Sequence, residues 1–131
     1  MPEMTKQRPK HLALHEIRLP LAGYASILHR VSGAGMFLML PLLIWLFELS
    51  LGSTAESAAM FTAVTSNVLV KLILLGLLWA FLHHFCMGIR ILLIDVHVGV
   101  EKQQAHVSAV AVLVVSLLLT LVFGLKLMGA Y

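Results

Sequence analysis

The sequence predicts an all-α integral membrane protein with three transmembrane helices. Three observations carry this. Of 131 residues, 60% are hydrophobic and 11% are charged, where a soluble domain carries about a quarter charged. The mean hydropathy is +0.99. Three apolar stretches separated by short polar segments each reach the ~20 residues needed to cross a hydrocarbon core. The length leaves no room for a separate soluble catalytic domain.

Residues 1–20 read as a cytoplasmic N-terminal arm lying along the membrane surface. Lys6, Arg8, Lys10 and Arg18 make it basic, and Glu3 and Glu16 argue against a transit peptide. Residues 21–131 form the membrane domain. The first span covers about 24–51, with its clean apolar core at 33–47 and a kink expected at Pro41. A short loop, 52–67, carries Glu56 and no Lys or Arg. The second span covers about 68–94 and closes at Asp95. After a polar loop the third span covers about 106–127, where Ser116, Thr120 and Gly124 recur every four residues as a packing face. Lys and Arg concentrate in the arm and the second loop, which places the N-terminus in the cytoplasm and the C-terminus outside.

The second span organises the functional reading. It carries His83, His84, Arg90 and Asp95 inside an otherwise apolar helix. Ionisable groups at such depth are costly and face a bundle interior, a cofactor or water. At ~100° per residue, His84, Gly88, Ile91 and Asp95 form one stripe, with Ala80 below; His83, Met87, Arg90 and Ile94 form the next. Ala80 and Gly88 leave room beside His84 for a flat group or a close backbone. With Asp95 at the surface, His84 lies ~16 Å deep and Arg90 only ~7 Å, within snorkelling reach of the headgroups. The start of span one and the end of span two share a membrane face. Ser26, His29, Arg30, Arg90 and Asp95 are therefore expected to gather above His84.

Two chemistries suit this set. A haem b needs an axial imidazole and basic groups for its propionates. His84 offers the ligand, and Arg30, with His29 or Arg90, offers the charge. A second imidazole at that depth is missing: His83 points about 100° away, and His29, His97 and His106 lie near the surface. Two-histidine ligation would then take its second ligand from another chain. His84 as a plain interhelical hydrogen-bonding residue fits equally well. A quinone needs a donor to its carbonyl and a positive field. Ser26 and Arg30, one turn apart, provide both, or else cap a turn and anchor in headgroups. His83 reads as interhelical, and Met36, Met39 and Met87 as packing. The single cysteine, Cys86, rules out an intrachain disulfide. The absence of Cys-x-x-Cys excludes covalently attached haem and an iron–sulfur cluster held by this chain alone.

Arg8-Pro9 with His11-Leu12, Ser-Ile-Leu-His-Arg-Val-Ser-Gly at 26–33, and His84 followed by Gly88-Ile89-Arg90 and Asp95 occur in that order along nearly the whole chain. Together they resemble the larger, cytochrome b-type membrane-anchor subunit of succinate dehydrogenase, respiratory complex II. The resemblance implies a helical bundle completed by a second, smaller anchor subunit. It implies a flavoprotein subunit with FAD and an iron–sulfur subunit docked on the cytoplasmic side of a bacterial inner membrane. It makes His84 an axial ligand of haem b, sets His29 and Arg30 by the haem propionates, and lines the ubiquinone site with Ser26 and Arg30. No catalytic residue is expected in this chain alone. Ile91 departs from the family pattern, in which many members have histidine after Gly-Ile-Arg. A fumarate reductase-type anchor and a haem-free structural anchor share the architecture. A small transport or channel subunit would need polar groups reaching the opposite face.

Overall fold

The structure, a computed structural model, describes residues 16–129. The chain folds into α1 (Leu21–Leu38), α2 (Leu40–Leu51), α3 (Ala55–Ser66), α4 (Val68–Asp95) and α5 (Lys102–Leu127), with no strand among the described residues. The arm predicted over 1–20 lies largely outside them. By length and composition α4 and α5 can each cross a membrane, and α1 with α2 makes a third span if the pair, bent by 53°, is counted as one.

The bend follows from Pro41. Proline has no N–H, and its ring clashes with the carbonyl four residues back, here Phe37. The chain resolves this by ending α1 early: Met39 N donates to Gly35 O and Met36 O at 3.1 and 3.2 Å. Pro41 then falls in the first turn of α2, where its missing N–H has no helical partner to lose. The break therefore lies at Met39 rather than at the proline itself.

Two segments expected as loops are helical. Residues 55–66 form α3 because Thr54 caps it, accepting from Ser57 N at 3.1 Å. Glu56 sits in the first turn, and the interior is rich in alanine, the best helix former. Asn67 ends α3 and starts α4, its Oδ1 accepting from Leu69 N at 2.9 Å and Val70 N at 3.4 Å. No residue of α3 is buried, so it lies on the bundle surface against α2 and α4. Helix α5 starts at Lys102, four residues before the expected span, because its polar first turn continues the apolar run. The α4–α5 turn is made by His97 and Gly99, with φ of 65° and 78°.

Helix α4 is central and packs on both α1 and α5, which also touch each other. Ala25 of α1 and Ala109 of α5 are fully buried, and Met87 of α4 fills the space between them with Val112. Small residues let the backbones approach, and the flexible thioether fills the irregular gap. Ser116, Thr120 and Gly124 form the packing face that the sequence predicts. Ser116 is fully buried and donates to Leu113 O, and Thr120 donates to Ser116 O. A Cβ on Gly124 would come within 2.6 Å of Leu75 Cδ1 on α4.

Arg90 does not behave as the sequence suggests. It is 8% exposed and neither snorkels nor joins the α1 cluster. The short turn brings the start of α5 beside the end of α4, and Arg90 reaches sideways to it. Its Nε donates to Ser108 Oγ at 2.9 Å and its Nη2 to Ala105 O at 3.1 Å, with Nη1 3.8 Å from Met87 Sδ. Arg90→Ala should lower stability by on the order of 2 kcal/mol, the scale of hydrogen bonds from a charged donor. Arg90→Lys should recover only part, because an ammonium lacks the planar fork. Thermal unfolding of the detergent-solubilised protein checks both; full recovery by lysine would show that charge alone matters.

Candidate functional site

The site is built where α4 meets α1. His83 and His84 are consecutive, so their side chains leave α4 about 100° apart and engage different turns of α1. His83 is fully buried, with Nε2 3.2 Å from Ala25 O. A carbonyl only accepts, so His83 donates through Nε2. Its ring stacks on Trp79, centroids 5.3 Å apart and planes 24° apart. His83 is thus the interhelical residue that the sequence predicts. Its Nδ1 and Trp79 Nε1 are buried without a hydrogen-bond partner among the described residues.

His84 is half-buried, and its Nδ1 lies 3.0 Å from His29 O. That bond fixes the neutral tautomer: the proton sits on Nδ1 and the lone pair on Nε2. Ser32 Oγ donates to the same carbonyl at 2.9 Å and lies 3.4 Å from Nδ1. The His29 ring stacks on the His84 ring, centroids 4.0 Å apart and planes 14° apart. A Cβ at Gly33 would come 2.9 Å from His84 Cε1 and 3.2 Å from Nδ1. One turn of α1 therefore holds the imidazole by one nitrogen and one face. No described residue hydrogen-bonds Nε2.

The room beside His84 comes from the facing helix. A Cβ on Gly88 would meet nothing within 4 Å; it is Gly33 that must lack one. Ser32 and Gly33 acquire roles that the sequence reading did not give them. The available signal was their spacing, three and four residues after His29, on the turn that must face the second span.

Ser26 and Arg30 share a face of α1, half-buried and exposed respectively. Every other Ser or Thr in the described helices donates to a carbonyl three or four residues earlier. Ser26 makes no such bond, and Arg30 has no ion-pair partner among the described residues. Asp95 is exposed at the end of α4. Ile91 packs against the core of Ala25, Met87, Ala109 and Val112. No group of three His, Cys, Asp or Glu side chains among the described residues could hold a metal ion.

Fold and site define an all-helical membrane subunit that turns an oriented imidazole, a hydroxyl and a guanidinium away from its own core. The chain belongs to the succinate dehydrogenase/fumarate reductase transmembrane subunit family, whose model matches residues 4–123. It is similar to the succinate dehydrogenase cytochrome b556 subunit of Paracoccus denitrificans, 34% identical over 112 residues, covering 86% of this chain and 85% of the relative. The subunit of the same name from Coxiella burnetii is 31% identical over 121 residues, covering 92% and 97%. That of Rickettsia felis is 28% identical over 119 residues, covering 91% and 92%.

Nitrogen-15 NMR of histidine-labelled protein should show His84 free of cofactor with its proton on Nδ1. Gly33→Val should abolish that preference by driving a methyl group into the ring. His29→Ala should keep it, because the acceptor is a backbone carbonyl.

Proposed function

We propose that the chain is the cytochrome b-type membrane anchor of a succinate dehydrogenase, contributing His84 as one axial ligand of haem b and Ser26 and Arg30 to the ubiquinone reduction site. The observation that carries this reading is the state of His84. A haem-ligating imidazole needs a free Nε2 lone pair and a ring oriented through its other nitrogen. The His29 carbonyl supplies that orientation, and Gly33 supplies the space. Haem, when bound, supplies one-electron chemistry. The cytochrome b556 names of the relatives support it.

His29 and Arg30 lie on or beside the turn that cradles His84 and hold the propionates. Ile91 adds nothing there, being apolar and packed on the core, so α1 carries that task. The second axial ligand comes from the smaller anchor subunit. Within this chain His83 is committed to Ala25 and His29 lies flat along the His84 ring. His97 lies in the α4–α5 turn, and His106 is near the start of α5.

Ser26 donates a hydrogen bond to the quinone carbonyl. Arg30 supplies a positive field that stabilises the reduced, anionic oxygen until it is protonated. The uncommitted Ser26 hydroxyl supports this role. Electrons reach the site from succinate through FAD in the flavoprotein subunit and the clusters of the iron–sulfur subunit, and the quinone takes up two electrons and two protons. No residue of this chain acts on succinate. Residues 1–20 form the cytoplasmic arm, with spans over about 24–51, 68–94 and 106–127 in the bacterial inner membrane. The Lys and Arg distribution supports an N-terminus in the cytoplasm.

The purified membrane complex should show a b-type band in a reduced-minus-oxidised spectrum, lost or altered in His84→Leu. No band in the parent complex with its partners bound would make it a haem-free anchor. Ser26→Ala or Arg30→Ala should lower ubiquinone reduction by roughly tenfold, the rate equivalent of ~1.4 kcal/mol. Assembly and succinate oxidation with an artificial dye acceptor should be retained. Unchanged quinone turnover in both variants would remove the quinone assignment.

A further inference from the structure

Past the 53° bend at Met39, α2 leaves the bundle. It packs against α3 and makes no close backbone approach to α4 or α5. The wedge left between them is a groove in two parts. The deeper part, about 840 Å³, is walled only by apolar side chains, among them Met36, Leu40, Phe81 and Phe123. The outer part, about 710 Å³, presents Lys71 and Lys126 with Ser50, Thr62, Thr65 and Ser66. Leu43, Leu74 and Leu127 line both parts, so the two are continuous. No carboxylate lines either one.

The mouth of this groove calls for an anion. Neither lysine has an ion-pair partner among the described residues. Lys126 lies in the last turn of α5, where the helix dipole favours a cation. Lys71 lies in the opening turn of α4, where the dipole favours the opposite sign. Two ammonium groups on one cleft repel each other, and apolar walls strengthen that repulsion by lowering the local dielectric. The hydroxyls add a second requirement. Ser50, Thr62, Thr65 and Ser66 all donate to carbonyls of their own helices. Their oxygens keep only acceptor capacity, which suits a headgroup that brings hydroxyl donors.

We propose that the groove holds one anionic glycerophospholipid. Its phosphate lies between Lys71 and Lys126, its headgroup hydroxyls face the Ser and Thr oxygens, and an acyl chain runs past Leu43 and Leu74 into the apolar part. The site is at the end of the bundle opposite Ser26 and Arg30 and is independent of the quinone. A partner helix seated in the same wedge would bury two lysines without compensation unless it brought carboxylates of its own. A lipid without net charge would leave the two ammonium groups of the cleft without a compensating charge.

The test uses the intact purified complex, wild type and Lys71→Gln/Lys126→Gln, equilibrated with phosphatidylglycerol or phosphatidylcholine in mixed micelles. Bound phospholipid is counted by native mass spectrometry. The wild type should retain phosphatidylglycerol roughly tenfold more strongly than the double variant, with phosphatidylcholine held weakly and equally by both. Leu77→Trp, which fills the apolar part and keeps both lysines, should also reduce retention. Equal phosphatidylglycerol retention in wild type and double variant would overturn the proposal, as would equal retention of the two lipids by the wild type. A photo-crosslinker at Phe81 that captured a partner polypeptide instead of phospholipid would overturn it too.

Discussion

The hydrogen bond from His84 Nδ1 to the His29 carbonyl constrains the rest of the structure. A side chain can reach a helix carbonyl of its neighbour only where the two backbones come unusually close. That closeness is why Gly33 cannot carry a Cβ and why the buried residue one turn on from His84's contact, Ser32, is small. Ala25 is fully buried against Met87 for the same reason. Without this bond, either tautomer of His84 would be available and the ring could rotate. With it, one nitrogen is fixed as donor and the other is left as a lone pair.

His83 completes the constraint. It binds the carbonyl of Ala25 and His84 that of His29, so two adjacent residues of α4 grip two carbonyls four residues apart on α1. Two such contacts set both the rotation and the sliding position of one helix against the other, which apolar packing alone leaves loosely defined in a membrane. Arg90 does the equivalent on the opposite flank, holding the start of α5 through Ser108 and the Ala105 carbonyl. The three ionisable residues in the body of α4 thus face α1, α1 and α5; of the two imidazole nitrogens left uncommitted, His83 Nδ1 is sealed inside the bundle, whereas His84 Nε2 belongs to a half-buried side chain.

This division explains what could be read from the sequence. The apolar spans, the break forced by Pro41, the Ser116–Thr120–Gly124 face and the special position of His84 depend on side chains, and side chains are what a sequence states. Helical spacing gives the face of a residue on its own helix but not which neighbour lies there. Spacing alone therefore sets Arg90 toward Arg30, whereas α5 returns beside it and takes it up. The acceptors at His29 and Ala25 are backbone carbonyls, which every residue has, so nothing in the sequence marks them. Helix α3 was hidden for another reason: it buries no residue, so it shows no apolar periodicity, and only the Thr54 cap and its alanines betray it.

Apolar side chains serve lipid contacts and contacts with other chains alike. Thirty-seven large hydrophobic residues are exposed among the described ones, and lipid tails and partner helices are equally apolar to them. Polar atoms discriminate better, because an unpaired donor or acceptor in hydrocarbon costs several kcal/mol, of the order of ~2–7. Most hydroxyls in this chain close back onto their own helices, as they must where lipid surrounds them. Ser26 Oγ, the Arg30 guanidinium and His84 Nε2 do not; the first two share one face of α1, and the third stands on α4 where it meets α1. His83 Nδ1 and Trp79 Nε1 are open as well but are sealed inside the bundle, whereas Ser26, His84 and Arg30 keep exposed surface, so these three are the open groups that a polar ligand or another chain can reach.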